Sequence, residues 1–489
     1  MVVASPPGHP DTVWILGEMQ YAELFAFGVN QFSNGRTVQR STDAGVNFTD
    51  MTNDTQSPPL GMHPDQHAIV FIPGRPGIAI IGSDGGVVRT SGAFADGSAT
   101  CDGHGLVDPQ LTQCHQWLSA IPTKIFSMNI GLATLQFQSL SINVNNPFGD
   151  ILGGTQDNGT WAFSAGNGGE GGNWMESIGG DGGQSGTDVS DGSIKMHMYT
   201  GNAGDVNFNG SDPLGWDFFS DLLIASGEGF SFYAPLIDDP KVSGTWFIGG
   251  AHVWRTLDSA GPQAYLQKFC NEFFGAYNPS VTPCGDWEPL GGAAGNLIAG
   301  PSTDKGTGYV GTIVRSASDS RTLWVSTRRG RLFISKNANA PSANVTYTRL
   351  DTPSQPRRFI SGIAIDHRNS NHAWVSFSGY NAYTPTTLGH VFEVSVHEDA
   401  EEGAVTWSDL SFNLGDQPIT GIARDDQTGD LFASTDFGVE MLPSGTKTWV
   451  PAGTNLPPVA IYGLTIDSSA RVLYAATHGR SAWKLTLTR

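Results

Sequence analysis

The chain has 489 residues, a net charge of −20, and 63 glycines against only 15% charged residues. A polyanion of this kind is repelled by nucleic acid and by anionic membranes, so neither is expected as a partner. The sequence contains no apolar run long enough to insert in a membrane. Residues 1–10 lack the charged start and apolar core of a signal peptide, which implies a processed or truncated form.

The elements follow one recurring pattern. An apolar strand ends in small residues, runs into a tight polar turn, and is followed by a second strand. It appears at Ile80–Val88, Ile151–Trp161, Trp246–Trp254, Leu323–Phe333, Leu431–Val439 and Leu473–Trp483. Self-similarity of this kind predicts a repeat array in which each unit is one small sheet. Each unit reads as four strands, a to d. Strand a is an apolar run such as 68–72, 360–365 or 461–466. Strand d starts near an aromatic residue: Phe48, Trp117, Trp174, Trp287, Trp407 or Trp449. The last unit, 460–489, lacks a strand d. The fold class is therefore all-β. It is expected to be a single β-propeller over 1–489, with about eight four-stranded antiparallel blades (about seven to ten allowed) and with terminal strands closing the ring on the first blade. The Gly-rich stretch 165–173 reads as a loop inside a blade.

The four cysteines lie in two close pairs, Cys101 with Cys114 and Cys270 with Cys284. Each pair precedes a tryptophan and follows a strand ending Arg-Thr, so the segments near 92–116 and 258–286 read as equivalent insertions. Two local disulfides are expected, each contributing about 3 kcal/mol through loop entropy. They imply an oxidising compartment, extracellular or periplasmic. A structural zinc site is disfavoured because no C-x₂-C pair occurs.

Ser41-Thr42-Asp43-Ala44-Gly45-Val46-Asn47-Phe48 matches the Asp-box pattern S-x-D-x-G-x-x-F/W, and 257–261 is a decayed copy. The aspartate of such a box folds the c–d turn and the glycine takes a positive φ. This motif, with His63-Pro64-Asp65-Gln66-His67, Asp84-Gly85-Gly86, Gly153-Gly154-Thr155-Gln156-Asp157-Asn158-Gly159, Gly179-Gly180-Asp181-Gly182-Gly183 and Ala476-Thr477-His478-Gly479-Arg480, resembles the Asp-box (BNR) repeat proteins. That group includes sortilin-type propellers, xyloglucanase-like glycoside hydrolases and sialidases, and the resemblance is nearest to bacterial exported BNR-repeat glycosyl hydrolases. It covers most of residues 12–489. It implies the propeller fold and a secreted protein acting on carbohydrate, although fold alone does not carry function.

Strand direction gives the geometry of a site. In an antiparallel blade the b–c and d–a turns fall on one face. The b–c turns carry Glu18, Asp84, Asp157, His252, Arg328, Arg329, Asp436, His478 and Arg480, with Tyr380 and Tyr383 in a longer insertion. The d–a turns carry His63, Asp65, His67 and Asp181. This convergence marks the face as the ligand site. Asp84, Asp157 and Asp436 also have a turn-forming reading, since Asp-Gly and Asp-Asn-Gly turns need an Asx side chain and a glycine for folding alone.

Glycoside cleavage needs two carboxylates about 5–5.5 Å apart for retention, or about 6.5–9.5 Å apart for inversion. Asp157 and Asp181 are the expected catalytic pair, one as general acid and the other as base or nucleophile. The remaining ligand-binding candidates are His63, Asp65, His67, Asp84, His252, Arg328, Tyr380, Asp436, His478 and Arg480. On an extended strand His63, Asp65 and His67 would share one face and offer a Ca or Zn ion two imidazoles and a carboxylate; a hydrogen-bonded plug is the alternative, and no cofactor is otherwise expected. His478 with Arg480 offers an anion site, or else a buried pair closing the last blade. Trp216, Tyr380 and Tyr383 could stack sugar faces or serve packing. Sialidase chemistry is disfavoured, because Arg75 lies on an a–b turn, on the other face. No G-x-S-x-G elbow or nucleotide-binding glycine loop is found. Two functions remain open: a secreted, glycoside hydrolase-like protein cleaving a poly- or oligosaccharide, or a non-catalytic, sortilin-like propeller binding a protein or glycan.

Overall fold

The structure, a computed structural model, describes residues 1–24, 31–165, 172–276, 283–397 and 404–488. The Gly-rich core of 165–173 thus lies outside the described residues. Among the described residues there are eight four-stranded antiparallel sheets, one three-stranded sheet and one two-stranded ribbon. The all-β expectation holds, and the three-stranded sheet is the last one, as its missing strand d required. No helix among the described residues is long and apolar enough to cross a membrane.

The chain divides into two compact units, 1–133 and 134–489. The first holds the sheets of 2–50 and 66–127 and the ribbon Phe94–Ala95 with Ile121–Pro122. Trp14, Leu16, Val38, Ala79 and Ile81 form its core. Trp117 does not start a strand here. It lies in the helix Gln110–Leu118, and the fourth strand of its sheet is Ile125–Ser127. The reason is the insertion itself. Cys101 bonds Cys114 and both are fully buried with Leu118 and Ile121, so the segment before Trp117 folds as a small helical core.

The second unit holds seven sheets in chain order: 141–178, 185–218, 236–289, 310–349, 360–409, 419–451 and 461–486. Several of their second strands are largely apolar runs buried on both faces: Leu323–Thr327, Leu431–Thr435 and Val472–Thr477 are buried at every position. First strands pass hydroxyl-to-carbonyl bonds from one sheet to the next. Thr312 Oγ1 donates to Ile360 O (3.3 Å), Ser361 Oγ to Ile419 O, and Thr420 Oγ1 to Ile461 O. Thr465 Oγ1 of the last sheet donates to Leu140 O, beside the first strand of the sheet of 141–178. Phe137, Leu140, Ile142 and Ile151 pack with Val472, Tyr474 and Ala476 in one core. The terminal strands therefore meet the sheet of 141–178, where the chain's first sheet was the expected partner. Gln136 and Phe137 supply the reason: Gln136 bridges His478, and Phe137 N donates to Thr477 O at 3.0 Å.

The Asp-box behaves as a turn. Asp43 Oδ1 accepts from the Asn47 amide at 2.9 Å, Ser41 Oγ accepts from the Gly45 amide at 2.9 Å, and Gly45 has φ +89°. The decayed copy keeps the device with a threonine: Thr256 Oγ1 accepts from the Ala260 amide at 3.0 Å. Cys270 bonds Cys284, as the spacing predicted.

Candidate functional site

In the 134–489 unit the site is built from interlocked glycine backbones. Gly182 N donates to Thr155 O at 2.8 Å and Gly159 N to Gly180 O. A Cβ on Gly154 would lie 2.1 Å from Gly183 O, and one on Gly182 would lie 2.4 Å from Gly159 O. The two Gly-rich motifs are thus two loops that touch backbone to backbone, which no side chain allows. Their contact sets the aspartates together. The Asp157 amide donates to Asp181 Oδ1 at 3.2 Å, and Tyr233 Oη donates to the same oxygen at 3.3 Å. Asp157 itself adopts φ +59°, a left-handed turn position that Asx residues tolerate.

Three phenols and an imidazole extend this cluster. Burial and the charges of Asp181 and Asp157 push the Tyr199 and Tyr233 hydroxyls upward, so both remain protonated donors. Tyr233 and Tyr462 line a cavity of about 230 Å³ together with Gln184, Thr312, Ser361 and Thr420, all on or beside first strands. Tyr462 stacks on His478, ring centroids 4.5 Å apart and planes at 30°. Burial lowers the His478 pKa, and its Nδ1 is buried with no hydrogen-bond partner. Burial and the charge of Asp436 push the Tyr462 hydroxyl upward; burial likewise raises the Asp436 carboxyl. Asp157, Asp181, Asp436 and His478 are thereby brought together with Tyr199, Tyr233 and Tyr462.

Other candidates stand apart from this cluster. His252 is clamped by Glu228, whose Oε1 lies 2.5 Å from Nδ1 and whose Oε2 accepts from the Ala251 and His252 amides. Arg328 lies over the Tyr309 ring at 5.3 Å. Tyr380 and Tyr383 form an edge-to-face pair, 38% and 74% exposed, that remains free to stack on a ligand. His478 and Arg480 do not form the buried pair: the arginine is exposed, and its amide caps the turn at Thr477 Oγ1. Trp216 cannot stack a sugar, because it is fully buried with Nε1 donating to Ser177 O at 3.0 Å and its ring edge-on to His197.

In the 1–133 unit, His63 and Asp65 precede the strand Gln66–Ile72 rather than lying on it. The shared-strand geometry fails, since Pro64 breaks the run, yet His63, Asp65 and Asp84 still converge. His67 Nε2 lies 2.8 Å from Asp84 Oδ1.

A second acidic pocket escaped the sequence reading. It has about 330 Å³ and is lined by His197, Tyr199, Asp205, Phe218, Glu272 and Phe273, among others. The disulfide-held insertion lays Cys270–Glu272 along the edge strand Trp216–Phe218: Phe218 N donates to Cys270 O at 2.8 Å, and Glu272 N to Trp216 O at 3.0 Å. A relay then runs from Thr160 Oγ1 to His197 Nδ1 (3.1 Å) and from His197 Nε2 to Asp205 Oδ2 (3.1 Å). Burial, then the Asp205 charge and hydrogen bond, push Glu272 up to about 7. A carboxyl that holds its proton near neutrality has the character of a general acid. The only sequence cue was that the second insertion is longer than a turn needs.

A groove of about 480 Å³ lined by Phe437, Leu456, Trp483 and Leu485 among others, and a larger one of about 700 Å³ lined by Val144, Val189, Pro240 and Ser468 among others, contain neither Asp157 nor Asp181. Its chemistry, rather than the size of any groove, makes the aspartate–tyrosine cluster the candidate site. No family model matches this chain, and no curated protein matches it.

Proposed function

We propose that the seven sheets of 134–489 are blades of an Asp-box β-propeller, and that the protein is secreted and acts on a poly- or oligosaccharide, in the manner of a glycoside hydrolase. The observation that carries the reading is the junction of Asp157 and Asp181 beside Tyr199 and Tyr233, where Tyr233 also lines a cavity shared with Tyr462, the ring that stacks on His478. Paired carboxylates with aromatic faces and phenolic donors are what a sugar site requires: rings pack on aromatic surfaces, while hydroxyls bond acceptors and donors. In the reaction one carboxyl gives its proton to the glycosidic oxygen as the C–O bond breaks. The other carboxylate takes a proton from the attacking water, or itself attacks the sugar carbon. Thr465 to Leu140 supports closure of the ring, and the two disulfides support an oxidising compartment.

A second reading, a propeller that binds a glycan or protein without cleaving it, is favoured by one detail. Asp181 Oδ1 already accepts from the Asp157 amide and the Tyr233 hydroxyl, a loop-fixing role. The test is reducing-end release from a panel of plant, algal and bacterial polysaccharides by the wild type, Asp157→Asn and Asp181→Asn, with thermal melts as the folding control. Activity that falls at least a hundredfold in either variant at unchanged melting supports cleavage. Saturable glycan binding with no product from any polymer removes the hydrolase reading.

A further inference from the structure

The 1–133 unit carries a cluster that the proposed carbohydrate site does not use. His63, Asp65 and Asp84 each offer one ligand atom, and these atoms all lie within 4.8 Å of one another. Three loops hold them in place. The Gln66 amide donates to Gly17 O at 3.2 Å, and Asp65 bridges Glu18. Thr37 Oγ1 donates to Pro64 O at 2.6 Å, and the Asp84 amide donates to Asp65 O at 3.4 Å. The imidazole of His63 occupies the place of a side chain on the Asp84-Gly85 turn, since a Cβ on Gly85 would lie 2.5 Å from His63 Cδ2. Only glycine there lets the ring approach the Asp84 carboxylate. His67, outside the trio, holds Asp84 Oδ1 at 2.8 Å through Nε2.

We propose that His63, Asp65 and Asp84 form a zinc-type divalent transition-metal site, with His67 as the residue that positions Asp84. The donor set decides the class of ion. Zinc takes imidazole nitrogen and carboxylate oxygen at about 2.0–2.2 Å, so donors already this close need only small movements to reach it. Calcium asks for six or more oxygens, which an imidazole cannot supply. Two carboxylates balance the dication, and His67 supplies the hydrogen bond that outer-shell partners give to a ligating carboxylate. Three protein donors leave one tetrahedral position for water or an anionic group of a ligand.

The test uses the full chain stripped with a chelator and titrated calorimetrically with Zn²⁺, with Ca²⁺ as a separate arm. One zinc per chain is expected, with at least tenfold weaker binding in both His63→Ala and Asp84→Asn and about tenfold weaker binding in His67→Gln. Calcium should not compete. Absence of zinc binding, or binding unchanged in His63→Ala and Asp84→Asn, overturns the site and leaves a hydrogen-bonded plug. Should a variant fail to fold, hydrogen exchange of the wild type decides: zinc must slow exchange at 63–67 and 84–86, and unchanged exchange there rejects the proposal.

Discussion

Two clusters grow from the same turn and end with different chemistry. At Asp84 and at Asp157 a second strand runs into an aspartate and a glycine before the third strand begins. In the 1–133 unit the neighbouring loop brings His63, Asp65 and His67, and the contact is ring against turn. In the 134–489 unit the neighbouring loop brings Asp181, with Tyr199 and Tyr233 behind it, and the contact is backbone against backbone. The repeat supplies the turn, and the loop that enters from the next strand supplies the side chains that make the two clusters differ. An aspartate at a repeat position thus cannot be classed as structural or functional from the turn alone.

Glycine substitutions separate the two clusters most strongly. Gly182→Val places its Cβ 2.4 Å from Gly159 O and 2.6 Å from Thr155 N, both backbone atoms that cannot step aside. A loss of about 3 kcal/mol is expected in chemical denaturation. Gly85→Ala meets a side chain instead, His63 Cδ2 at 2.5 Å and Cβ at 2.9 Å, so the ring must turn and the backbone at 63 give slightly; about 1–2 kcal/mol is expected, together with weakened zinc binding. Equal losses at both positions would erase the distinction.

The pH dependence gives the next largest effect. Burial pushes Asp217 to about 6, and Asp238, Glu272 and Asp286 to about 7, so the folded chain holds protons that the unfolded chain releases. Their contribution is full below the unfolded carboxyl pKa of about 4 and is lost as pH rises through the folded values. Asp43 and Asp319 are held at about 2, Asp43 chiefly by the Asn47 amide; partial burial raises Asp319, but hydrogen bonds from Thr322 and Arg321 outweigh that. Their contribution is lost as pH falls below about 4. Thermal melts should therefore peak near pH ~4 and decline toward pH ~8. Glu272→Gln should flatten the decline between about pH 5 and 7, because the amide has no proton to lose. An unaltered slope would mean that Glu272 titrates as a solvated side chain.

The smallest effect is expected at Tyr233→Phe. It removes one donor from Asp181 Oδ1 while the Asp157 amide remains, so a loss of about 1 kcal/mol or less is expected in denaturant melts. A much larger loss would make Tyr233, rather than the glycine contact, the element that holds the loops together.

Much of this architecture was legible because its causes are local. A strand buried on both faces must be a continuous apolar run, as at Leu323–Thr327, and that run is visible without coordinates. The disulfides were legible because each cysteine has a partner close in sequence. Asp157 and Asp181 were legible as neighbours because antiparallel strands alternate their turns between two ends. What could not be read depends on distant partners. Glu272 gains its character from Asp205, which a different sheet supplies, and only the docking of Cys270–Glu272 on the strand of Trp216 joins them. Trp216 is invisible as a core residue for the same reason, since Ser177 and His197 bury it from other strands. The division at 133/134 has no composition shift to announce it.

The most direct test of the account is hydrogen exchange of the full chain with and without a bound oligosaccharide, taken from whichever polymer binds. A carbohydrate site at the aspartate–tyrosine cluster predicts slowed exchange at 155–159, 180–184, 233 and 462–463. Protection confined to 437–456 and 483–485, the apolar groove, with none at 155–159 or 180–184, would contradict it and move the site to that groove.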